Sequence, residues 1–101
     1  MFVVNTTFCA DRSVAIELEM WCTAIYAAQA KAYGFNDVIV CRILSADAAV
    51  DSESLAVQMQ CDDSRRIDQW FDSMGDKLLD ECRKKWGEKV IPFTTYMSRI
   101  L

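Results

Sequence analysis

The sequence predicts an α+β domain: a four-stranded antiparallel sheet with two helices on one face, in the order β-α-β-β-α-β. Three observations predict it. The chain has 101 residues, the size of one domain, so residues 1–101 are read as a single unit. It contains only three Gly and one Pro, far below the usual combined share of ~12%, so most of it is regular helix or strand. Two long stretches of helical periodicity, each preceded by Asp and closed by an aromatic-Gly pair (Tyr33-Gly34, Trp86-Gly87), are interleaved with β-branched segments.

Phe2 to Cys9 alternates β-branched or aromatic residues with polar ones and reads as a strand. Asp11-Arg12-Ser13 supplies caps for a helix to about Tyr33, where Gly34 stops it. Its core stripe is Val14, Leu18, Trp21, Ile25, Ala28 and Ala32. Val38 to Leu44 is a second strand, and Ser45 to Ser52 is a small polar loop. Glu53 to Cys61 is a third strand, with Leu55, Val57, Met59 and Cys61 on one face. Asp62-Asp63-Ser64 caps a second helix to Trp86, with stripe Ile67, Phe71, Met74, Leu78 and Cys82. Lys89 to Ile100 is the last strand, and Pro92 suggests an edge position, since Pro cannot donate to a ladder. Two similar β-α-β halves in this order form the ferredoxin-like pattern.

Two helices cover one side of four strands, so the other side decides the architecture. Alternation assigns Phe2, Val4, Phe8, Ile39, Ile43, Leu55, Val57 and Met59 to the helices. It leaves Val3, Asn5, Thr7, Val38, Val40, Arg42, Leu44, Ala56, Gln58 and Gln60 uncovered, and on the last strand either Phe93, Thr95 and Met97 or Thr94, Tyr96 and Ser98, the second set being favoured. An open antiparallel face is normally polar, whereas this one carries several Val and Leu. A second copy packed sheet against sheet would bury them, giving a two-fold dimeric α/β barrel. Asn5, Thr7, Arg42, Gln58, Gln60 and Tyr96 would then line the space between sheets and are the candidate ligand-binding residues. The plainer reading is that these groups hydrogen-bond one another across strands. Arg42, a lone guanidinium among Val and Leu, points to a small acidic ligand or to carboxylates at the rim.

The formal charge of −4 lacks the basic footprint of a nucleic-acid binder and disfavours an anionic membrane. The longest uncharged stretch, Met20 to Ala30, is too short to span a bilayer, and the first residues lack the basic region of a signal peptide. The expected location is cytoplasmic. Five isolated Cys with no C-x-x-C pair read as free thiols. The absence of His removes the commonest metal ligand and the usual partner of a Ser or Cys nucleophile, so no metal, cofactor or catalytic residue is assigned.

Helix one carries few charges outward, at Ile16, Met20, Thr23, Ala27 and Ala30. Either another chain packs there or the small residues reflect helix propensity alone. Helix two carries Asp68, Asp72, Asp76 and Asp80, spread over ~18 Å along the axis and so unable to converge on a metal.

The segments Val3 to Thr7, Cys41-Arg42-Ile43-Leu44, Val57-Gln58-Met59-Gln60 and Trp86 to Thr95 together resemble a small bacterial family, a domain of unknown function of about this length. The resemblance covers the whole chain and implies a fold and a bacterial origin, but no substrate. More distantly, the topology looks like the dimeric α/β-barrel superfamily. Its haem-degrading branch typically uses His, absent here; its cofactor-independent oxygenases would match only at Asn5 and, weakly, Tyr96. The leading expectation is a non-enzymatic small-molecule-binding or interaction module acting as a homodimer. The alternative is a cofactor-independent monooxygenase- or isomerase-like enzyme, and a third is a protein partner on helix one.

Overall fold

The computed structural model describes residues 1–44 and 51–101; the 45–50 part of the expected polar loop lies outside them. Four strands, β1 (Phe2–Asp11), β2 (Asn36–Ile43), β3 (Ser52–Cys61) and β4 (Val90–Ser98), form one sheet in the order β2-β3-β1-β4. Every pairing is antiparallel. β4 is an edge strand, as Pro92 suggested. The principal extents are 40 × 31 × 19 Å. The shortest is the thickness of a sheet plus one helix layer, each ~10 Å.

Helix α1 follows a 3-10 turn, Arg12–Val14, whose cap is Asp11: its Oδ1 accepts from Ser13 N at 2.9 Å and Ser13 Oγ at 2.7 Å. It comprises α-helical Ala15–Trp21, a π-helical turn Cys22–Tyr26 and α-helical Ala27–Tyr33. Gly34 ends it at φ 108, a left-handed cap that side chains disfavour. Helix α2 has the same three parts: Ser64–Trp70, π-helical Phe71–Gly75 and Asp76–Trp86. Asp63 caps it, accepting from Arg65 N at 2.9 Å.

The π turn of α1 corrects its expected stripe, whereas that of α2 leaves Ile67, Phe71, Leu78 and Cys82 buried as expected. Each wide turn inserts one residue and rotates the remainder of its helix by about 100°. In α1 the buried set continues as Tyr26, Ala27 and Ala30, while Ile25, Ala28 and Ala32 are exposed. Ala27 and Ala30 therefore do not face outward, although Ile16 and Met20 do. In α2, Met74 is partly buried against the core, and Trp70, Gly75, Leu79 and Trp86 join the buried row. A Cβ at Gly75 would sit 2.6 Å from Trp70 Nε1, so this turn needs glycine for close approach.

Two strand faces are also corrected. A bulge lies between Asn36 and Ile39, with Asp37 at φ 49. Such an irregularity changes which parity faces the core. Val38 and Val40 pack on the core, while Ile39 and Ile43 stand on the open face opposite Gln58 and Ser54. On β4, register with β1 pairs Tyr96 with buried Val4 and Thr94 with buried Thr6. Thr94, Tyr96 and Ser98 thus share the helix side, and Ile91, Phe93, Thr95 and Met97 are open.

Between sheet and helices lies an aromatic cluster centred on Trp70. Its ring meets Tyr33, Phe35 and Tyr26 at 5.5, 5.8 and 6.0 Å. Tyr26 in turn meets Phe8 at 5.5 Å.

Candidate functional site: the open sheet face

Four of the six expected site residues stand together. Asn5 lies between Gln58 on β3 and Thr95 on β4, and Thr7 lies between Ala56 and Phe93. Val3 lies between Gln60 and Met97. Asn5 Nδ2 donates to Thr7 Oγ1 at 3.1 Å. Gln60 Oε1 is buried without a hydrogen-bond partner among the described residues. The centre of the face is thus a floor of amides and hydroxyls, Asn5, Thr7, Gln58, Gln60 and Thr95. Apolar groups flank it: Ile39 and Ile43 on β2, and Ile91, Phe93 and Met97 on β4, each 41–60% exposed.

Arg42 and Tyr96 do not belong to this group. Arg42 pairs in register with buried Leu55, which places it on the helix side. There Nη2 meets Glu19 Oε2 at 2.6 Å and Nε meets Glu53 Oε1 at 3.0 Å. The carboxylates that the lone guanidinium called for come from α1 and β3, so the acidic-ligand expectation loses its anchor. These ions are half-exposed, so Arg42→Ala should leave the midpoint of a urea titration nearly unchanged and leave assembly unchanged. Tyr96 packs edge-on against Phe71 at 6.0 Å. Burial, then the charges of Asp76 and Asp68, push its phenol pKa up.

On β4 it is the less favoured set, Phe93, Thr95 and Met97, that stands on the open face, and Ile91, Ile39 and Ile43 join it there. On β4 the odd set (Ile91, Phe93, Met97) is more apolar than the even set (Thr94, Tyr96, Ser98). Assigning the greasier set to the core is the natural inference, and here it fails. That failure is informative: the greater apolar area lies on the uncovered side.

All five cysteines are free. Burial pushes the Cys22 thiol up to about 12 and the Cys82 thiol up to about 11. A thiol whose folded pKa is raised stabilises the fold fully below its unfolded value near 9, and that contribution is lost as pH rises toward the folded value. Urea midpoints should therefore be flat from pH 7 to 8 and fall between about pH 9 and 12, with a shallower fall in a Cys22→Ala, Cys82→Ala chain. An unchanged slope would assign the alkaline loss to other groups. Among the described residues no cluster of three or more Cys, Asp or Glu could hold a metal, and no helix is long and apolar enough to cross a membrane.

A family model for a domain of unknown function, DUF4286, matches residues 1–100. The chain belongs to that family. No curated protein matches the DUF4286 chain in sequence. Among solved structures it is similar to a candidate antibiotic biosynthesis monooxygenase from Deinococcus radiodurans, at 16% identity and TM-score 0.72, covering 100% of this chain and 94% of that one. It is also similar to an ethyl tert-butyl ether D family protein from Bacillus halodurans, at 16% identity and TM-score 0.71, covering 99% and 100%. A dimeric ferredoxin-like protein from an uncultured marine organism matches at 13% identity and TM-score 0.60, covering 99% and 95%. At these identities the likeness shows the ferredoxin-like fold.

Proposed function

We propose that the DUF4286 chain is a non-enzymatic homodimeric module, closed sheet against sheet, whose polar floor receives a small uncharged hydrogen-bonding ligand. One observation carries the reading: a flat, half-exposed apolar surface of Ile39, Ile43, Ile91, Phe93 and Met97 beside a floor that contains an unpaired buried acceptor, Gln60 Oε1. Ten such side chains in a pair, each about half-exposed, would gain about 10 kcal/mol gross on burial. That is the order of the cost of association, so the dimer is marginal enough for one substitution to dissolve it. The description of the marine structure as dimeric supports a dimer. No charged residue occupies the register rows from Val3 to Cys9 on this face, which favours an uncharged ligand. Five free thiols suit a reducing compartment, and we place the module in the cytoplasm.

Native mass spectrometry of freshly purified protein tests this. A mass near twice 11.5 kDa with a reproducible small adduct is expected. A dimer without adduct overturns the ligand, and a monomer overturns the barrel. Cys41 is exposed on the open face of the single chain. A water-soluble maleimide should therefore label it several-fold more slowly in the dimer than in a monomeric variant; equal rates would place the interface elsewhere.

A further inference from the structure

The two edges of the sheet are unequally protected. β2 carries Asp37, the paired Arg42 and a bulge, which are ordinary defences against strand addition. β4 has Pro92 near its start, and then Thr94 to Ser98 without a charge, a glycine or an irregularity. Arg99 N donates to Met1 O at 2.9 Å, one step beyond the Phe2–Ser98 pair. Alternation along an antiparallel ladder then turns the backbone groups of Met97, Thr95 and Phe93 toward β1. Those of Thr94, Tyr96 and Ser98 face the free edge, and Pro92, which has no N–H to offer, falls in the same register.

The side chains of Thr94, Tyr96 and Ser98 point to the helix side, where a groove of about 430 Å³ separates β4 from α2. Phe2, Ile67, Tyr96 and Met97 supply its apolar lining, and Asp68 stands at its wall. Asp76 also acts on the Tyr96 phenol, so Asp68 and Asp76 of α2 stand beside this edge. Asp68 and Asp76 lie eight residues apart across the π turn, about 10–12 Å along the axis. Residues four apart in an extended strand span about 13 Å. The two repeats match.

We propose that the β4 edge accepts an extended peptide with Lys or Arg at alternate positions, added antiparallel as a fifth strand, with its basic side chains toward the Asp68 and Asp76 carboxylates. Charge complementarity selects this occupant. A second copy paired through the same edge would bring two acidic rows together, which is repulsive. The site leaves the open sheet face untouched and does not depend on the dimer.

The probe is a fluorescein-labelled heptapeptide with lysine at its second, fourth and sixth positions and valine elsewhere, titrated against the full chain. Saturable binding that weakens with salt is expected, with none for the peptide carrying glutamate in place of lysine. Asp68→Asn with Asp76→Asn should weaken it about threefold to tenfold. In an antiparallel addition the lysines pair with Thr94, Tyr96 and Ser98 and turn their own N–H groups to β4. N-methylation of the lysine nitrogens should therefore abolish binding, whereas N-methylation of the valine nitrogens should preserve it. Binding that survives lysine N-methylation would be mere attraction to an acidic helix and would overturn the proposal. Absence of binding, or a Thr94→Cys chain that oxidises to a β4–β4 dimer, would overturn it too.

Discussion

Trp70→Ala should lower the free energy of unfolding by about 3–5 kcal/mol. Trp70 is fully buried and touches three other rings, from α1, from the end of α1 and from the start of β2. Removing it leaves a cavity that cannot collapse, because the π turn and Gly75 are built around the indole. Small domains are stable by ~5–15 kcal/mol, so the loss is a large fraction of the total. For a chain of this size each kcal/mol shifts Tm by roughly 4–8 °C. Thermal melts followed by far-ultraviolet circular dichroism should fall by well over 10 °C on this scale. Trp70→Phe, which keeps most of the ring volume, should fall much less. A loss under about 1 kcal/mol for the alanine variant, the level of an ordinary surface change, would mean that the cluster is not the centre of the core.

Phe93→Asp should convert the dimer to a folded monomer. Phe93 is 53% exposed on the single chain, so a carboxylate there remains hydrated and the melt of the monomer changes little. In the dimer the same carboxylate would lie between two sheets, opposite Thr7 and near Cys9 and Asn5, with no cation on the face among the described residues. An unpaired buried charge costs several kcal/mol, and a two-fold axis introduces it twice, so the dissociation constant should rise at least about a hundredfold. Sedimentation velocity over a range of concentrations measures this. A variant that stays dimeric would remove the open face from the interface.

How far the residues announced these features depends on the strength of local periodicity. Both helices, both Asp caps, the Gly34 stop and the β4 edge position were legible, because each rests on local chemistry. The alternation of β1 and β3 was legible too, since Leu55, Val57 and Met59 contrast with Ser54, Ala56 and Gln58. β2 offered no contrast: Val38 and Val40 compete with Ile39 and Ile43, and the Asn36–Ile39 bulge settles the parity. The same bulge moved Arg42 to the helix side and into contact with Glu19 and Glu53. The π turns were not legible, because one inserted residue in a stripe of Ala, Ile and Tyr leaves an acceptable apolar face in either phase. Asn5, Thr7, Gln58 and Gln60 stand on the expected open face because they lie on the two central strands, where parity is clear. Tyr96 was misplaced because its strand's alternative set was the greasier one.

The proposed module stands or falls on whether the open sheet face meets its own copy. An isotope-filtered NOE experiment on a dimer mixed from carbon-13-labelled and unlabelled chains tests this at the level of single side chains. Contacts between protomers are expected from Phe93, Ile91 and Met97 to Ile39, Ile43 and each other, and none from α1. Contacts between protomers that instead involve Ile16 and Met20 would show that the helix face is the interface and that the barrel does not form.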